Sequence, residues 1–120
     1  MDNSLQETKA PGLEEVLLMC KLLEEHRGGD VVALDLRKLH LWTDFFIIAT
    51  VTSNTHMEGL ERHIKEFCRE KNFDILGHSR RNVDDEWRLI DLGWVVIHLM
   101  NKSAREFYDL ERLWRQVSTG

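Results

Sequence analysis

A chain of 120 residues, 42% apolar and 31% charged, is read as one globular domain, long enough to bury a single core and too short for two. No apolar run approaches the roughly 20 residues of a membrane helix, and residues 1–10 are polar, carrying Asp2 and Glu7, unlike the basic start and apolar centre of a signal peptide. The 16 Lys and Arg against 21 Asp and Glu give a net charge of −5, with the basic residues scattered, which argues against broad binding of a phosphate backbone and favours a basic protein as partner.

A cytoplasmic protein is therefore expected, with a flexible segment over 1–10, one domain over 11–117 and a tail over 118–120. The first helix begins near Leu13: Leu13, Val16, Leu17, Cys20 and Leu23 follow helical spacing, Glu14 and Glu15 sit in the first turn, and Gly28-Gly29 lies beyond the end. Residues 30–35 read as a short buried strand. After a turn-like stretch, residues 45–50 (FFIIAT) read as a second strand, apolar on both faces and so interior to a sheet.

Thr55 and Glu58 have capping-box spacing, which predicts a second helix running to about Lys71 with Met57, Leu60, Ile64, Phe67 and Cys68 inward. Glu61, Arg62, Lys65 and Arg69 are then left to solvent. Residues 73–76 read as a third strand, followed by a polar segment over 77–85. Residues 87–91 and 94–100 form two more strands across a tight Leu92-Gly93 connection, an antiparallel hairpin. Ser103 and Glu106 repeat the capping-box spacing, and Phe107, Leu110 and Trp114 fall at i, i+3 and i+7, an inward stripe of a last helix. This order describes an α/β fold, a single domain with a mixed central sheet and flanking helices.

Catalytic signals are sparse. Neither G-x-G-x-x-G nor G-x-x-x-x-G-K-[ST] occurs, and G-x-S-x-G is absent. Asp84 and Glu86 would share a face if extended, and Asp35 and Asp44 flank neighbouring strands, so a divalent metal has candidate ligands; solvated turns and strand ends explain the same residues. His26, His40, His56, His63 and His78 show no repeated ligand spacing. His98, inside VVIHLM, is either a hydrogen-bonded residue of the sheet or part of an interface. Cys20 and Cys68 stand at apolar helical positions, as buried free thiols do.

Binding leaves a clearer trace. The strand period sends Trp87, Leu89 and Asp91 to one face and Arg88, Ile90 and Leu92 to the other. If Ile90 and Leu92 point inward, Trp87 and Leu89 form an exposed apolar pair rimmed by charge, the composition of an interface anchor. Pattern alone leaves the opposite orientation open.

The segments DVVALDLR (30–37), TDFFIIATVTSN (43–54), WRLIDLG (87–93), VVIH (95–98) and REFYDLERLW (105–114), in this order and spacing, resemble the ribosomal silencing factors, or Iojap-like family. The resemblance runs from about Leu13 to about Trp114. It implies a nucleotidyltransferase-like topology without the catalytic motif, no enzymatic activity and no cofactor. It also implies binding to the large ribosomal subunit through ribosomal protein L-fourteen, on the face where the small subunit docks, so that subunit joining is blocked and translation repressed under nutrient limitation. By position, the contact strand supplies Trp87, Leu89 and Asp91, which favours their outward orientation; His98, Arg105, Tyr108 and Glu111 match further motif positions, at the partner or in the fold. Phe107, Leu110 and Trp114 are expected inward. The sequence departs from the family pattern at Trp94, where an Asp usually follows Gly93, and at Val51, commonly Gly. Two alternatives stand beside this reading: a metal-dependent nucleotidyltransferase-like enzyme using Asp35, Asp44 or the Asp84/Glu86 pair, and a homodimeric scaffold built on Trp87 or Trp94.

Overall fold

The computed structural model describes residues 11–80 and 86–112. The expectations for residues 1–10, Asp84, Trp114 and 118–120 lie outside the described residues. Helix α1 (Leu13–Glu25) leads into strand β1 (Gly29–Asp35), then β2 (Phe45–Val51), helix α2 (Asn54–Lys71), strands β3 (Gly77–Arg80), β4 (Trp87–Asp91) and β5 (Val95–Asn101), and helix α3 (Lys102–Tyr108). The strands form one mixed sheet in the order β1-β2-β5-β4-β3, in which only the β2–β5 pair is parallel. Among the described residues no helix is long and apolar enough to cross a membrane.

The parallel pair lies inside the sheet, which is why FFIIATV and VVIHLMN are buried on both faces. One face is covered by α1 and α2: Phe45, Ile47, Ala49 and Val51 of β2, Val95, Ile97 and Leu99 of β5 and Ile90 of β4 pack against Val16, Met19 and Leu23 of α1 and Met57, Leu60, Ile64 and Cys68 of α2. The other face carries Phe46, Ile48, Val96, Met100, Trp87 and Leu89. Among the described residues no long helix crosses it. Ala104 of α3 covers one end, and Leu36 and Leu39 from the β1–β2 connection cover the other.

Several expectations are corrected. The buried line of α1 is Val16, Met19 and Leu23, with Cys20 half-buried; Leu13 and Leu17 are exposed, Leu17 at 55%. Apolar residues occupy so wide an arc of LEEVLLMCKLLEE that periodicity cannot choose the centre of the stripe, and contact with the sheet chooses it. Both later helices start earlier than their capping-box signals. Ser53 Oγ accepts from His56 N at 3.0 Å, and Asn101 Oδ1 accepts from Ala104 N at 2.8 Å, so the caps are the last extended residues before each helix rather than Thr55 and Ser103.

The third strand is 77–80 and not 73–76. Phe73 and Ile75 instead pack half-buried at the edge of the core, while residues 77–80 pair with β4. Glu61 is buried rather than solvated, because Arg88 meets it from β4. Phe107 is 79% exposed rather than inward: Asp109 adopts a left-handed conformation at φ 46°, ends α3 at Tyr108 and breaks the spacing that put Phe107 and Leu110 on one stripe. Leu110 does pack inward, against the Ile48 and Met100 cluster.

β5 begins at Val95, so the connection from β4 is the three residues 92–94 rather than Leu92-Gly93 alone; Gly93 sits in it at φ +90°, a conformation that primed hairpin turns require and side chains resist. The departures from the family pattern lie toward the helix-covered core. Val51 is buried there, and Trp94 packs edge-on against Phe73 at 5.5 Å.

A candidate partner-binding face

Strand β4 turns Ile90 toward the helices, so Trp87, Leu89 and Asp91 share the opposite face, as the outward reading expects. The side chains are half-buried rather than an exposed pair, because neighbours rise around them. Trp87 lies beside Met100 and Leu89 beside His98 in the antiparallel register. The Trp87 indole N–H donates to His98 Nδ1 at 3.1 Å, and Tyr108 of α3 lies against the indole at 4.6 Å between ring centroids.

The contacts continue in both directions. Phe107 meets Tyr108 edge-on at 4.9 Å, and His98 meets Phe46 at 4.5 Å. A row of rings thus runs Phe107, Tyr108, Trp87, His98, Phe46, from exposed at one end to buried at the other; Tyr108 is 45% exposed. Sequence reasoning missed Phe107 as a member of this surface, since the chain break at Asp109 that turns it outward carries no helix-stop signal beyond the Asp itself.

His98 is a structural base for Trp87. An indole N–H only donates, so Nδ1 is the acceptor and a neutral ring carries its proton on Nε2. Burial pushes the His98 pKa down to about 4. Protonation would also place a hydrogen on Nδ1, which then could no longer accept from Trp87.

The remaining candidates sit apart from the ring row. Asp91 shares the face at its far end, about 13 Å along the strand from Trp87, where its Oδ1 accepts from Gly93 N at 2.7 Å and fixes the hairpin turn. Arg105 and Glu111 form a clamp: Nε and Nη2 reach the Glu111 carboxylate at 3.2 and 2.9 Å, while Nη1 donates to Thr50 Oγ1 at 2.8 Å and Gly29 O at 3.1 Å. That clamp ties the chain beyond α3 to the ends of β1 and β2. The structure thus brings Trp87, Leu89, His98 and Tyr108 together and gives Asp91, Arg105 and Glu111 bonds that hold the fold.

The carboxylates of the enzymatic alternative are differently engaged. Both Asp35 oxygens pair with Arg37, at 2.9 and 2.7 Å, and this hydrogen bonding holds the Asp35 carboxyl below the usual carboxylate range. Among the described residues no group of three or more His, Cys, Asp or Glu side chains is arranged to hold a metal ion. Cys68 is buried and Cys20 half-buried, and burial raises both thiols to about 11, with Glu24 adding to the effect at Cys20.

One buried interaction escaped sequence reasoning. Arg88, 1% exposed, donates from Nη1 to Glu61 Oε1 at 2.6 Å, and Lys65 Nζ lies 3.5 Å from the other oxygen. A signal existed: Glu61 falls on the same helical line as Met57, Ile64 and Cys68, and Arg88 falls on the inward face with Ile90.

The arrangement is that of an α/β protein whose two long helices cover one sheet face, while the other carries an aromatic row ending at the surface. The family model described as ribosomal silencing factor during starvation matches residues 9–119, so the chain belongs to the ribosomal silencing factor family. It is 33% identical over 99 residues to the ribosomal silencing factor of Haemophilus influenzae, covering 82% of this chain and 96% of that protein. A mouse protein named mitochondrial assembly of ribosomal large subunit protein 1 is 28% identical over 106 residues, covering 83% of this chain and 45% of its own length. A crystal structure of a Chromobacterium violaceum protein superposes with a TM-score of 0.77 at 32% identity, covering 87% of each chain.

Proposed function

We propose that this protein binds the large ribosomal subunit through ribosomal protein L-fourteen and, by occupying the surface where the small subunit docks, blocks subunit joining and represses translation in the cytoplasm when nutrients are limiting. The observation that carries the proposal is the row of rings at Trp87 and Tyr108 on the sheet face opposite the two long helices, in a chain that belongs to a family of ribosomal silencing factors. The names of the relatives, which refer to ribosomal silencing and to assembly of a large ribosomal subunit, support the same reading.

The mechanism needs no cofactor and no turnover, only residence. A nanomolar complex corresponds to about 12 kcal/mol, and a few aromatic anchors with a surrounding rim supply most of such a sum. Trp87 and Leu89 are the central anchors, Tyr108 and Phe107 extend them to the exposed edge, and His98 orients the indole from beneath. The net charge of −5 complements a basic ribosomal protein and speeds encounter.

Replacing Trp87 by Ala is expected to weaken co-sedimentation with purified large subunits at least thirtyfold, about 2 kcal/mol, while far-ultraviolet circular dichroism stays that of the native fold. Full co-sedimentation of a folded Trp87→Ala protein would place the contact elsewhere.

A further inference from the structure

The joint between α1 and α2 is built from three half-buried histidines that the candidate face does not use. α1 ends with His26 as its C-cap, and α2 begins at Asn54. The His26 ring lies flat on that of His63, with centroids 3.6 Å apart and planes 16° from parallel. His56 reaches the same joint from the first turn of α2. Its Nδ1 lies 3.1 Å from Thr52 N, and its Nε2 lies 3.1 Å from His26 O. With Gly59 and Leu60 the three rings line a small cavity of about 160 Å³.

The hydrogen bonds fix the charge of His56. A backbone N–H only donates, so Nδ1 turns its lone pair to Thr52, and the ring hydrogen sits on Nε2 and is donated to His26 O. That second bond ties the end of α1 to the first turn of α2. A protonated His56 carries hydrogens on both nitrogens and can no longer accept from Thr52 N. The stack has the same preference, because two imidazolium rings at that separation repel. The charged and titratable groups around it are His56, Arg62 and Glu66 of α2, with Glu25 and Arg27 flanking His26 in the chain. Burial, and next the His26 charge, hold the His63 pKa below 6.5; Arg62 acts the same way and Glu66, 3.9 Å from Nδ1, acts against them. Proton uptake thus opposes the closed joint at two separate places.

We infer that this joint is an acid-released latch: neutral His26, His56 and His63 hold the end of α1 against α2, and protonation frees that end together with the Gly28-Gly29 link into β1. The link is loaded for release. Arg27 at φ 71° and Asp30 at φ 43° hold left-handed conformations that side chains resist, one on each side of the two glycines. Arg27 N donates to Glu24 O at 3.1 Å and Gly28 N to Leu23 O at 2.7 Å, so the last bonds of α1 sit directly beside the latch and report its state.

Nuclear magnetic resonance on the full chain tests this between pH 7.5 and pH 5.5, a range that stays above the His98 pKa of about 4. At the upper end the expected signs are an Nε2–H tautomer for His56 and a through-space contact between the ring protons of His26 and His63. At the lower end that contact is lost and the Gly28 amide loses its protection from hydrogen exchange about tenfold or more, while the sheet amides of Ile47 and Ile97 keep theirs. His56→Asn combined with His63→Phe leaves an acceptor for Thr52 and a ring for His26 but removes two of the proton sites, and is expected to hold the Gly28 protection across the range. Equal losses at Gly28, Ile47 and Ile97 would be global unfolding and would overturn the latch. So would steady protection at Gly28 in the unsubstituted chain, an Nδ1–H tautomer for His56, or a natively folded double variant that loses protection as the unsubstituted chain does. If the double variant does not fold, the readouts on the unsubstituted chain decide.

Discussion

His98 carries a pH dependence whose sign follows from its burial. Its pKa falls from 6.5 to about 4 on folding, so between those values the unfolded chain binds a proton that the folded chain refuses. The stabilisation is complete above about pH 6.5 and is lost as pH falls toward 4, a loss on the order of 3 kcal/mol. Urea unfolding at pH 7 and pH 4.5 measures it: His98→Gln is expected to lose less stability between the two pH values than the unsubstituted chain. Parallel losses in both proteins would mean that His98 is not the group that titrates. The Arg88–Glu61 pair gives a second residue-level expectation. Glu61→Ala removes the carboxylate that buried Arg88 donates to at 2.6 Å and is expected to cost about 3–5 kcal/mol, whereas Arg88→Leu combined with Glu61→Leu recovers most of it, because an apolar pair of similar volume replaces a desolvated ionic one. A double variant as unstable as the single one would contradict this.

Among the elements, α3 and the chain after it are held by caps and clamps more than by length, since seven residues make a marginal helix. Asn101→Ala is expected to cost about 1 kcal/mol by removing the side-chain acceptor for Ala104 N, read as a lower urea midpoint at unchanged slope. The elements legible in the sequence were those with a local cause. The run FFIIAT announces an interior strand because both of its faces are apolar, and the tight Leu92-Gly93 connection between two strand-like runs announces a hairpin. What stayed hidden had a non-local cause. Strand β3 is polar and exists because β4 offers it an edge, the buried face of α1 is selected by the sheet, and the exit of Phe107 to the surface depends on a left-handed Asp109. The candidate face was half legible. Strand period grouped Trp87, Leu89 and Asp91, and family resemblance chose their direction, but the bonds that assign Asp91, Arg105 and Glu111 to the fold are seen only in three dimensions.

For the whole molecule, the division of the sheet is the organising fact. The two long helices spend their apolar lines on one face, so the other is closed only at its ends among the described residues, by α3 and by the Leu36–Leu39 connection. A sheet with an aromatic row on that side fits the proposed action by occupying a surface, and a chain of 14.2 kDa is body enough to obstruct a contact between larger particles. Obstruction has a direct readout. Purified large and small subunits, mixed under conditions that favour association and resolved on a sucrose gradient, are expected to remain separate when the large subunits are first saturated with this protein, and to join when Trp87→Ala protein is used in its place. Undiminished joining in the presence of saturating unsubstituted protein would contradict the account.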